Sequence, residues 1–188
     1  MTIEPRPVTP RSGDPDLPDV LAAQRDRAAF GVIYRRYLDR VYGYCFHLLG
    51  DHHDAEDVTE RTFVAALAAL DGFRDTGATF RSWLFRIAHN QLANALRARS
   101  RHPVDPLDVV AEPAEASDPA GIVGSADETR RLRAALRHLS EDRRQVIVLR
   151  FVDGLTAREI GLVLERSEGA VRVLQHRALR ELAEHLEP

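Results

Sequence analysis

The chain has 188 residues, 44% of them hydrophobic and 29% charged, with a formal net charge of −3. That suits a folded soluble protein, with room for one medium domain or two small ones. A single cysteine, Cys45, excludes an internal disulfide framework, and the apolar runs are too short to cross a bilayer, so no membrane insertion is expected. The N-terminus carries neither the basic start nor the apolar stretch of a signal peptide, and a cytoplasmic location is expected.

Net charge conceals an asymmetry along the chain. All 26 basic residues are arginine. Residues 25–102 hold 12 Arg against 9 acids, and residues 129–188 again hold 12 against 9. Between them, residues 103–128 hold 7 acids and no arginine. Two mildly basic segments flanking an acidic one suit a protein that meets nucleic acid at two places.

Residues 1–19 are rich in Pro and Asp and read as a disordered tail. From Val20 to Leu49 a helix is expected, because Phe30, Ile33, Tyr34, Tyr37, Val41 and Tyr44 recur at spacings of three and four. Gly50-Asp51 breaks the chain. A second helix is expected over 54–70, with Val58, Phe63, Ala66, Leu67 and Leu70 apolar. Residues 71–79 form a loop with two glycines, and a third helix spans 80–101 until His102-Pro103 stops it. Residues 103–126 contain four prolines and only acidic charge, the composition of a flexible linker. A coil of that length averages roughly 25–30 Å end to end.

The C-terminal part is again helical, over 127–139, 141–152, 157–164 and 168–186. Ser140 precedes one helix and Asp153-Gly154 ends it. Thr156 and Glu159 stand at capping-box spacing, and Ser167 is placed to cap the last helix. No strand pattern or repeat is present. The expected fold is therefore all-α: two small helical domains, residues 20–102 and 127–188, joined by the acidic linker 103–126.

The segment 156–186 has the lengths of a DNA-reading helix-turn-helix, with Glu165, Arg166 and Ser167 as the turn. At 100° per residue, Val171, Leu174, Ala178 and Leu182 fall on an inward face. Gly169, Arg172, Val173, His176 and Arg180 fall outward, with Arg177 on the flank. Arginine donates two hydrogen bonds to a guanine edge or holds phosphate, so this face suits the major groove. From geometry alone a plain helical hairpin with solvated arginines stays open.

Two other readings deserve comparison. The run Asp51-His52-His53-Asp54-Ala55-Glu56-Asp57 has metal-ligand residue types, but adjacent histidines on a helix do not share a face and no second cluster has matching spacing. Acids at a helix N-terminus explain its carboxylates. No phosphate-cradling glycine loop or nucleophile elbow occurs, so no catalysis, metal or cofactor is expected. A stand-alone helix-turn-helix regulator explains residues 127–188 and leaves 20–102 without a task.

Several motifs resemble one family. Ala55-Glu56-Asp57-Val58 with Thr62-Phe63 is similar to the opening signature of sigma region 2. Phe80-Arg81-Ser82-Trp83-Leu84-Phe85-Arg86-Ile87-Ala88-His89-Asn90 is similar to its promoter-reading helix. Leu155-Thr156-Ala157-Arg158-Glu159-Ile160, then Gly169-Ala170-Val171-Arg172 and His176-Arg177-Ala178, resemble region 4. Their order and the acidic linker resemble the extracytoplasmic-function (ECF) group of the sigma-70 family, over about residues 25–186.

The resemblance implies a transcription initiation factor that performs no chemistry itself. It implies docking of helix 54–70 on the β′ coiled coil of core RNA polymerase, through Asp57, Glu60 and Phe63, with further contact to the β subunit. It implies reading of the promoter −10 element as a melted strand by Phe73, Arg74, Arg86, Asn90, Arg97 and Arg101. It implies reading of the −35 duplex by Arg172, Val173, His176, Arg177 and Arg180, and control by an anti-sigma partner. Trp83, by its amphipathic position, is expected in the core. The chain departs from the family pattern in places. Glu60-Arg61 replaces Gln-Glu, Asn94 an aspartate, Glu165 a glycine, Ala170 and Val173 a threonine and a serine, and Leu174 a basic residue.

Overall fold

The computed structural model describes residues 13–75, 77–101 and 134–186. The expected linker 103–126 and most of the expected tail lie outside them. Regular structure among the described residues is helical throughout: α1 (Leu17–Arg25), a 3₁₀ turn (Arg27–Ala29), α2 (Phe30–Leu49), α3 (His52–Ala69), a 3₁₀ turn (Leu70–Gly72) and α4 (Phe80–Arg101). Residues 134–138 are helical, and then come α5 (Glu141–Ile147), a π turn (Val148–Val152), α6 (Ala157–Leu164) and α7 (Glu168–Leu186).

The single helix expected over 20–49 is two helices. Asp26 is extended (φ −137°, ψ 112°), and its carboxylate accepts from the backbone N–H of Ala28. The side chain thus offers the backbone an alternative to continuing the helix. The expected tail is also too long. α1 starts at Leu17 with Pro18 in its first turn, where a missing N–H costs nothing. Ahead of it, Asp14 accepts from the Phe80 backbone N–H at 2.6 Å, and Asp16 accepts from Arg36 and from the Tyr37 hydroxyl. Acids that read as tail composition are anchors to α2 and α4.

Other boundaries follow their caps. Gly50 ends α2 in the left-handed region (φ 72°) that glycine enters freely. Asp51 starts α3 by accepting from the Asp54 backbone N–H, two residues before the expected boundary. Thr79 caps α4 through Ser82. Helix 141–152 is α-helical only to Ile147, and its last turn widens to a π turn. Ser140 precedes α5 but makes no side-chain cap, whereas Ser167 accepts from the Ala170 backbone N–H as expected.

The core differs most from expectation. Ile33, Tyr44, Phe80, Phe85, Leu84 and Leu92 are fully buried in the N-terminal unit. The same apolar cluster continues through Val148, Leu149, Leu155, Ile160, Val163 and Val171 of the C-terminal unit. The two units therefore share a core, with α4 lying against α6. A smaller cluster, formed by Ala135, Leu136, Leu139, Ile147, Ala178 and Leu182, closes the far side of α7.

Candidate nucleic-acid interface

Helix α7 sorts its side chains as its periodicity predicts. Val171, Ala178 and Leu182 are buried, while Arg172, Val173, His176, Arg177 and Arg180 are exposed. Arg172 is steadied by Glu168 one turn earlier, at 2.5 Å. The helix is held at its angle by the preceding turn. Glu165 there is left-handed (φ 54°), a conformation unusual for a side chain with a Cβ. A Cβ on Gly161 would stand 2.6 Å from the carbonyl oxygen of Arg166, so only glycine admits so close a return of the chain. The capping box forms in both directions: Thr156 accepts from the Glu159 N–H, and Glu159 accepts from the Thr156 N–H.

On α4, Arg86, Asn90 and Arg97 are exposed, Arg97 turning back to Asn94 and the Ala93 carbonyl. The side chain of Arg101 lies outside the described part. In the preceding loop, Arg74 is exposed and donates to the carbonyls of Asp71 and Phe73. Phe73 is only 5% exposed. Its ring meets Phe80 at 5.5 Å and Trp83 at 5.4 Å. This corrects the expectation that Phe73 meets the −10 strand directly. It is a core residue that fixes the loop, and the half-buried Trp83 packs with it.

On α3, Asp57 and Glu60 are exposed, and Asp57 pairs with Arg61. Phe63 is nearly buried at 5%, edge-on to Tyr34 and Phe30. It forms part of the floor of a groove of about 600 Å³ between α2 and α3, lined also by Tyr34, Leu38, Val64, Leu67 and Glu60. The histidine run at the start of α3 is engaged locally. His52 bonds Tyr42 and stacks on Phe46, and Asp51 is the cap.

The surfaces of the two units face each other. Glu159 of α6 accepts from Arg81 at 2.6 Å and from Thr79 at 2.8 Å. Burial alone would raise its carboxyl. The hydrogen bonds from Arg81, the Thr156 N–H, Thr79 and the Thr156 hydroxyl outweigh that and hold it down to about 2. Arg86 pairs with Glu165 at 2.5 Å. Arg40 of α2 donates to the Asp153 carbonyl and stands over the rings of Tyr37 and Phe85. Glu159 was legible as a cap, but its partners across the interface, like the anchoring Asp14, carry no local sequence signal.

Comparison with known proteins places these elements. Residues 33–102 match Sigma-70 region 2 and residues 129–182 match Sigma-70, region 4. The chain is 33% identical over 180 residues to the ECF RNA polymerase sigma factor SigE of Mycolicibacterium smegmatis, covering 93% of this chain and 69% of that protein. It is 31% identical over 172 residues to SigW of Bacillus subtilis, covering 86% and 90%. The chain belongs to the ECF sigma factors. Against another of them, BldN of Streptomyces coelicolor, it is 35% identical and spans 59% of the relative's length. Among solved structures, it superposes on CnrH in complex with the cytosolic domain of CnrY with TM-score 0.67, at 28% identity, over 91% of this chain and 96% of that one. The sigma factor RpoE in complex with the anti-sigma factor NepR from Bartonella quintana gives TM-score 0.69 at 27% identity, over 84% and 96%. Sigma region 2 thus comprises α2–α4, with α1 packed beside it, and region 4 contains α5–α7, most of the last helix included.

Proposed function

We propose that this ECF sigma factor binds core RNA polymerase and gives it promoter specificity, leaving RNA synthesis to the polymerase. The observation that carries this reading is the pairing of regions 2 and 4, in family order, with an α7 whose exposed face carries Arg172, His176, Arg177 and Arg180. Arg172, Val173, His176, Arg177 and Arg180 read the −35 element, Arg172 and His176 setting its preference. Asn90, with Arg86, Arg97 and Arg101, holds the −10 strand, for which a basic track with a polar pocket is the physical need. Arg74 flanks that track, while Phe73 acts by fixing the loop.

Asp57 and Glu60 meet basic groups of the β′ coiled coil, and the groove floored by Phe63 takes apolar side chains of the same partner. The β subunit supplies a further contact. An anti-sigma factor controls the protein by covering these faces, as suits a relative of proteins solved with such partners. The factor acts in the cytoplasm, where polymerase is. No helix among the described residues is long and apolar enough to cross a membrane.

The test is co-elution of the protein with core RNA polymerase in size-exclusion chromatography, beside an Asp57→Arg variant. Stable co-elution, lost or weakened in the variant, is expected. Binding to free duplex DNA without any to core polymerase contradicts the proposal and favours a stand-alone regulator.

A further inference from the structure

Where the units meet, one group is out of keeping with its surroundings. Asp153, in the turn that leads into the helix-turn-helix, has a side chain with no exposure to solvent. Neither carboxylate oxygen has a hydrogen-bond partner among the described residues. Its nearest cation is Arg40, whose Nε lies 3.9 Å from Oδ1, while another nitrogen of that guanidinium is spent on the Asp153 carbonyl. The groups that face it come from the other unit. They are Arg40, Tyr44 and Cys45 of α2, with Arg81 of α4 acting from farther off. On its own side Glu141 adds negative charge near Tyr44 and His89. A carboxylate sealed in this way, without donors, is costly to keep ionised.

We propose that closing the interface between regions 2 and 4 takes up a proton at Asp153, so that the packed form of the free chain is a latch that loosens as pH rises. Closing removes Asp153 from water and leaves it facing an apolar and aromatic wall. The carboxylate accepts a proton from solvent and is held as the neutral acid. Opening returns it to water and releases the proton. Burial, only partly offset by Arg40 and Arg81, raises the closed-state carboxyl from an ordinary 3.8 to about 8.

The sign follows from linkage. A group that binds its proton more tightly when closed favours closure fully below its open-state value and loses that contribution as pH rises to its closed-state value. From pH 6 to pH 8 Asp153 by itself should lower the closing constant about fiftyfold, at close to tenfold per unit in the lower part of the range. Glu159 works in the opposite sense. Its contribution is present above its ordinary 4.5 and lost as pH falls through about 2, so it does not bend the profile between pH 6 and 8. His89, which bonds Tyr44 and is pushed down by burial, titrates below its ordinary 6.5 and contributes equally to wild type and variants.

The consequence for promoters rests on the function proposed above. Closed, region 4 occupies Arg81 and Arg86 of the −10-reading helix with Glu159 and Glu165, so packing and promoter binding compete. The test reads domain separation without DNA, and therefore fails or succeeds independently of that function.

Cys45 is buried, so single cysteines placed at the exposed Ala68 of α3 and Glu184 of α7 take a donor and an acceptor dye. Single-molecule energy transfer on the full chain then counts closed and open molecules from pH 6 to 8. Divided by the Asp153→Asn ratio at the same pH, the wild-type ratio is expected to fall about fiftyfold. In Asp153→Asn, which carries no titrating proton, that fall is expected to vanish, leaving only the shallow opposite slope that His89 gives to every form. Asp153→Ser repeats the measurement, with thermal unfolding of each variant as the check on folding. A wild-type ratio that does not move, or variants that follow the wild-type slope, overturns the proposal.

Discussion

Glu159 shows how much one side chain carries here. It is the third residue of a capping box, which local spacing announces, and the acceptor for Arg81 and Thr79, which nothing local announces. Glu165 is the companion case. It holds a left-handed conformation that costs a non-glycine residue about 1 kcal/mol, and its carboxylate reaches Arg86. The pair is half-exposed and contributes little on its own. Gly161 is the steric counterpart. Gly161→Ala should destabilise the protein by about 1–3 kcal/mol, because its new Cβ would press on the Arg166 carbonyl. A lowered thermal midpoint together with weaker duplex binding is the expected result. An unchanged midpoint would show that the turn relaxes without cost. Asp14 and Gly161 were both invisible in the sequence for the same reason: each serves a backbone atom supplied from elsewhere in the fold or chain.

At the scale of elements, helix periods, caps and breakers located α3, α4, α6, α7 and the end of α2 to within a few residues. They did so because an amphipathic stripe and its cap are local chemistry. The misses fall where tertiary contact overrides pattern. Phe30 to Tyr44 reads as one stripe with the residues before it, yet Asp26 breaks the backbone ahead of it. The acids at 14 and 16 read as tail because their donors, the Phe80 N–H and Tyr37, lie in other elements. Phe73 reads as loop and is core, since three aromatic rings close over one another there. The exposed face of α7, by contrast, was legible from its period. Arg172→Ala should cost ~1–3 kcal/mol at the cognate −35 sequence and less at unrelated duplexes. Binding constants for a cognate and a scrambled duplex measure this. Equal loss on both would assign Arg172 to phosphate.

The molecule as a whole is organised around two units whose apolar sides meet in a shared core. Charge asymmetry and motif order pointed to two helical domains of the ECF sigma type, which the fold and the family matches show. Their mutual packing was not predictable, because α4 and α6 each carry an apolar side that suits a partner of any origin. That packing pairs Arg81 and Arg86 of α4 with Glu159 and Glu165 of the other unit.

The measurement that tests the central claim most directly is in vitro transcription on fragmented genomic DNA from the source organism. Core RNA polymerase is supplied with or without the purified protein, and transcript 5′ ends are mapped. Discrete start sites are expected that appear only with the protein, share a −10 and a −35 motif, and lose the −35 component with Arg172→Ala. Transcripts unchanged by the protein, from a core polymerase that responds to an established sigma factor in parallel, would contradict it.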